Sequence, residues 1–164
     1  MGSVQPQGMI GVMTGATVVA LRRWLLGILF LGLIGTGIEL VLISHYEDAW
    51  QVAPLLLIAT AVGALFWHEA GHGAARLSLF RWIMMLFVAA GLLGVGLHYQ
   101  GAAEFQREMD PSQGQWSIFK KVMRVHAPPV LAPGLMMQLG LLGLAFSHGQ
   151  AALTRRSDDG SVVL

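Results

Sequence analysis

The chain has 164 residues, 55% of them hydrophobic and 12% charged, with a mean hydropathy of +0.63 and a formal net charge of +1. A soluble domain carries about 25% charged residues, so this composition predicts a single integral membrane domain over residues 1–164, with no field to recruit nucleic acid. There is no cysteine, which excludes disulfides, iron–sulfur clusters, thiolate zinc sites and covalent c-type haem, and no asparagine to accept an N-glycan.

The first twenty residues do not read as a cleavable signal, because Arg22 and Arg23 follow the weakly apolar stretch instead of preceding it. Pro6 stands where a myristoylation motif needs Ser or Thr. The first apolar span is read at residues 24–44. Glu39 lies inside it, and an ionisable group in hydrocarbon costs several kcal/mol unless paired or protonated. Gln138, in the last span, is the partner considered for it. The polar run His45-Tyr46-Glu47-Asp48 follows.

The second span, at residues 52–70, runs into His68-Glu69-Ala70-Gly71-His72. These five residues match H-E-x-x-H, the helix-borne zinc motif of metalloproteases. On a continuous helix the spacing sets both imidazoles on one face, with Glu69 beside them as a general base. His148 is the candidate third ligand, with Asp158 and Asp159 behind it on the tail. The competing reading is a helix end at the headgroup layer, terminated by Gly71 and Gly73.

The third span is read at 81–98 and the fourth at 129–147, joined by an outer connection over 99–128. Within that connection Trp116, Phe119 and Met123 recur at three- and four-residue spacing, interleaved with Lys120, Lys121 and Arg124. The pattern predicts a short amphipathic helix lying on the membrane surface. Trp24, Trp50, Trp67, Trp82, Tyr46 and Tyr99 all fall at span ends, as interfacial aromatics do. Gly32, Gly35, Gly91, Gly94, Gly140 and Gly143 are expected at close helix contacts.

Basic flanks set the orientation. Arg22, Arg23, Arg76, Arg81, Arg155 and Arg156 fall on one side; Arg107, Lys120, Lys121 and Arg124 fall on the other. The bias puts both termini in the cytoplasm of a bacterial inner membrane. The outer side then collects His45, Glu47, Asp48, His98, Glu104, Glu108, Asp110 and His126. His45 and His98 end the first and third spans at similar heights, so with Glu47 they form an alternative metal site. Polar helix caps are the simpler account of the same residues.

Two resemblances bear on these residues. The His68–His72 stretch resembles the motif of site-2-type intramembrane metalloproteases, which would imply a zinc peptidase. The second motif of that group, an aspartate in an L-D-G-like setting, has no counterpart inside a predicted span. The stretches from His45 to Gln51 with Pro54-Leu55, Leu97-His98-Tyr99 with Glu104-Phe105, Glu108-Met109 with Pro111-Ser112, Ala132-Pro133-Gly134 and Gln138 to Gly143 are similar to a group of small bacterial four-helix integral membrane proteins. That likeness covers about residues 30–146, leaves the H-E-x-x-H stretch outside its motifs, and implies no catalytic activity.

The fold expected is all-α: a four-helix transmembrane bundle with a short extramembrane amphipathic helix between spans three and four. The leading function is that of a non-enzymatic structural or accessory subunit of a larger membrane complex, respiratory or photosynthetic, with lipid and other membrane subunits as partners and no cofactor. The alternatives are a zinc metallopeptidase at His68, Glu69 and His72, and a proton or ion relay centred on Glu39.

Overall fold

The computed structural model describes residues 6–71, 73–124, 131–148 and 150, with side chains from residue 17 onward. They form five helices: α1 (Pro6–Leu42), α2 (Ala49–Glu69), α3 (Ala74–Met109), α4 (Gln115–Arg124) and α5 (Leu131–Ser147). Three of these, α1 from Thr17, α2 and α3, are long and apolar enough to cross a bilayer. At 17 residues α5 is apolar but shorter than the about 20 residues that a span usually takes. His72, His126, Arg155, Arg156, Asp158 and Asp159 lie outside the described residues.

The apolar helices run antiparallel to their neighbours. Phe30 of α1 meets Phe66 of α2 edge-to-face at 5.8 Å, and further along α1 Gly37 approaches Ile58. On α3 and α5, Gly94 faces Pro133 while Phe80 faces Gly143 and Phe146. One core runs through all four, with Leu29, Leu33 and Leu40 from α1, Ile58 and Leu65 from α2, Phe80, Met84 and Phe87 from α3, and Met136 and Leu139 from α5.

α1 begins at Pro6, well before the expected residue 24, and α3 overruns its expected bounds at both ends. The 36 residues of α3 rise about 54 Å at helical pitch, far more than the about 30 Å of a hydrocarbon core. The apolar run stops near His98, but the helix continues to Met109 through Ala102-Ala103-Glu104-Phe105-Gln106-Arg107-Glu108, nearly all strong helix formers. Residues 99–109 of the expected outer connection are therefore the last part of α3, and α4 folds back along it. Gln113 bonds to the carbonyl of Gln106, and Phe119 reaches Tyr99, 6.1 Å between ring centroids. Ala103, Ile118 and Val122 close a second, smaller core in this hairpin.

Against α3, α4 buries a face other than the one its Trp116, Phe119 and Met123 spacing marks. Ile118 and Val122, four residues apart, pack inward. Trp116, Phe119 and Met123 stay exposed at 68%, 39% and 39%. The helix carries two apolar faces, and the longer-range contact selects the aliphatic one.

Candidate functional site

The polar groups gather at the two ends of the bundle. At the end where α2 and α5 finish, arginines occupy the helix C-termini. The last carbonyls of a helix lack intrahelical donors and carry partial negative charge, so a cation there both hydrogen-bonds and opposes the dipole. Arg76 Nη1 donates to the Trp67 carbonyl of α2 at 3.0 Å, and its guanidinium lies over the Trp67 ring at 5.3 Å. Gly71 leaves the room this side chain fills; any larger residue there would meet the guanidinium. Arg81 closes α5 by donating from Nη2 to the Ser147 carbonyl at 2.7 Å and from Nε to the Ser147 hydroxyl at 3.2 Å. That hydroxyl donates in turn to Leu144 O at 2.9 Å, and Ser147 is fully buried. Arg22 of α1 reaches the carbonyl of His148 at 2.9 Å. Read along the sequence, these arginines marked only which side of a membrane they face. The signal for capping was present: each stands within a few residues of the end of an apolar run.

The H-E-x-x-H stretch sits at this same end. α2 stops at Glu69, with Ala70 as its C-cap, so no continuous helix carries the motif through to its second histidine. His68 is 6% exposed, stacked on Phe80 at 5.8 Å and edge-on to Phe146 at 6.2 Å. Its Nε2 donates to Gln150 Oε1 at 2.7 Å, and Nδ1 has no partner among the described residues. Glu69 faces outward, and His148 is exposed. His68 is thus packed as an aromatic core residue whose one satisfied nitrogen is taken by an amide.

At the opposite end His45 and His98 do meet, their rings stacked at 6.4 Å with planes 18° apart. The exit of α1 aims His45 there. His45 N donates to Leu40 O at 2.8 Å and Ser44 N to Val41 O at 3.0 Å, the paired bonds of a Schellman motif. Its left-handed position is held by Ser44 (φ 56°) where glycine is usual. The start of α2 is fixed by Asp48, whose carboxylate accepts from Gln51 N, while Gln51 Oε1 accepts from Glu47 N, both at 2.9 Å. This reciprocal cap engages the polar run near Glu47 instead of turning it onto the histidines. Among the described residues no group of three His, Asp or Glu side chains is placed to hold a metal.

Glu39 and Gln138 are both exposed and do not pair. Glu39 lies in the last turn of α1, on its outer surface, which is why Gln138 on α5 is out of reach. Of the six glycines expected at helix contacts, Gly91, Gly94, Gly140 and Gly143 line the α3–α5 approach, Gly32 meets Leu139, and Gly35 faces open space. At the tip of the α3–α4 hairpin, Asp110 accepts from the hydroxyl of Ser112 at 2.6 Å and from its N–H at 3.1 Å. The hydroxyl first, then the N–H, hold this carboxyl below its ordinary range. Compared with known proteins, the chain matches no family model, no curated protein and no solved structure.

Proposed function

We propose that the chain is an integral membrane protein of a bacterial inner membrane, crossed by α1, α2, α3 and α5, that acts as a non-catalytic structural or accessory subunit of a larger membrane assembly. The observation that carries this reading is the outer face of α1. Trp24, Ile28, Leu31, Gly35, Ile38 and Leu42 follow alternating four- and three-residue steps, and all are exposed. Their exposure reaches 72% at Trp24 and Leu31 and 78% at Leu42. That spacing is the seam of a helix pair, with a small residue at its middle to admit another backbone. Lipid alone would cover the apolar side chains. It would not satisfy Glu39, which flanks the seam next to Ile38 without a partner among the described residues. A donor on a neighbouring subunit's helix would. The arginine-capped end is assigned to the cytoplasm on the basic flanks counted along the sequence, where Arg155 and Arg156 tip the balance.

The test is extraction in a mild detergent with mass spectrometry of all co-purifying polypeptides. Stoichiometric partners are expected, and Glu39→Leu should release them while leaving the chain helical, since the Glu39 side chain is exposed and bonds to none of the described residues. A lone monodisperse monomer from native membranes would overturn the proposal.

A further inference from the structure

The hairpin of α3 and α4 carries a second feature that none of the packing explains. Beside the buried stripe of Ile118 and Val122, α4 presents a basic face. Lys120, Lys121 and Arg124, with Ser117, line one side of an open cleft of about 470 Å³, and Gln106 of α3 lines the other. Lys120 and Arg124 are four residues apart and Lys121 and Arg124 three, so their charges repel along one helix face. No carboxylate among the described residues forms an ion pair with any of the three. Asp110 senses the Lys121 charge, but its Oδ1 is engaged by Ser112. The C-terminal dipole of α4 accounts for one cation near its end, not for three converging on one space with two neutral hydrogen-bonding side chains.

The location narrows what fills the cleft. α4 runs back towards the bundle, so its last turn descends past the level of Tyr99, where the apolar half of α3 ends. On the next face of α4 round from Lys120, Trp116 stacks on Phe119 at 5.3 Å, and Met123 lies beside them, all exposed. Aromatic and thioether side chains next to cations, at the height where hydrocarbon gives way to headgroups, are the signature of a surface that meets lipid.

We propose that this cleft binds the phosphate headgroup of an anionic phospholipid, with Lys120, Lys121 and Arg124 supplying charge, Ser117 and Gln106 hydrogen bonds, and Trp116, Phe119 and Met123 resting on the acyl boundary. Cavities of this size accommodate a small ligand, and each basic residue near an anionic surface adds to the attraction. The proposal rests on membrane insertion as read above, but not on any partner subunit.

The experiment is native mass spectrometry of the full chain in a non-ionic detergent, titrated separately with dioctanoyl phosphatidylglycerol, dioctanoyl phosphatidylcholine and inorganic phosphate. One phosphatidylglycerol adduct should form in clear preference to phosphatidylcholine and should weaken with added salt. The triple variant Lys120→Gln/Lys121→Gln/Arg124→Gln should lose at least about tenfold in affinity. The charge-keeping variant Lys120→Arg/Lys121→Arg should retain it, which guards against a fold effect of the triple variant. Equal binding of the two lipids, unchanged affinity in the triple variant, or displacement of phosphatidylglycerol by inorganic phosphate would each overturn the lipid site. Carbonate extraction of membranes separates the two readings. A chain released by alkali sinks membrane insertion itself; a chain retained but indifferent to headgroup sinks only this site.

Discussion

The α3–α5 interface and the outer face of α1 both carry glycines, and they use them in opposite ways. At Gly140 a Cβ would lie 2.7 Å from Met84 O and 2.9 Å from Phe87 Cβ; at Gly91 it would lie 2.7 Å from Pro133 O. Backbone approaches backbone there, and only the absence of a side chain permits it. At Gly35 and Gly27 of α1 a Cβ would meet nothing within 4 Å. The first pair of helices has completed its packing inside the chain. The second surface is built in the same manner and left open.

The largest effect should come from filling the closed side. Gly140→Leu places a side chain against the Met84 carbonyl, which cannot move without shifting α3. Overpacking of this kind costs about 1–3 kcal/mol or more, read as a lowered unfolding midpoint in detergent. Gly35→Leu, in the matching test of the open side, should change intrinsic stability by less than about 0.5 kcal/mol and yet weaken any co-purifying partner. Equal destabilisation by the two would mean that α1 is packed within the chain after all.

Arginine caps divide along the same line. Arg81 holds the end of the closed interface, part-buried, on a Ser147 with no exposed surface. Removing it in Arg81→Ala strands a buried carbonyl and should cost about 1–3 kcal/mol. Arg22 ties α1 to the same helix end through one exposed hydrogen bond, so Arg22→Ala should cost no more than about 1 kcal/mol. Thermal unfolding of both variants in one detergent ranks them, and the reverse order would show that α1 is the better anchored helix.

How much of this was legible without coordinates differs by region. The apolar runs marked α1, α2, α3 and α5 but missed the start of α1 and both ends of α3, because hydropathy reports which stretches are apolar. It does not report where a helix stops, and α3 runs on past the polarity change near His98 to Met109. In α4 the spacing picks out Trp116, Phe119 and Met123, which stay exposed, and passes over Ile118 and Val122, whose burial depends on Ala103 of α3 opposite them. The meeting of His45 with His98 was readable from matched span ends. The H-E-x-x-H stretch was misleading as a helical motif because its spacing has meaning only on a continuous helix, and Gly71 with the Arg76 cap ends α2 within it. Gly35 and Gly140 could not have been told apart, since glycine carries no side chain to announce which face it occupies.

The smallest effect concerns the point where α1 leaves the bundle. Ser44 holds a left-handed backbone (φ 56°) in the Schellman turn that directs His45 onto His98. An L-residue there costs about 1–2 kcal/mol relative to glycine, while glycine loses about 0.5–1 kcal/mol more chain entropy on folding. Ser44→Gly should therefore stabilise the chain, by under about 1 kcal/mol, with the His45–His98 stack intact in the histidine ring resonances. Ser44→Val should do the opposite and by more, because β-branching is worst tolerated at positive φ. A destabilised Ser44→Gly would mean that the serine hydroxyl, and not the backbone, secures this turn. The exit of α1 would then be set by a side-chain bond, while Leu29, Leu33 and Leu40 in the core still fix which face of α1 points outward.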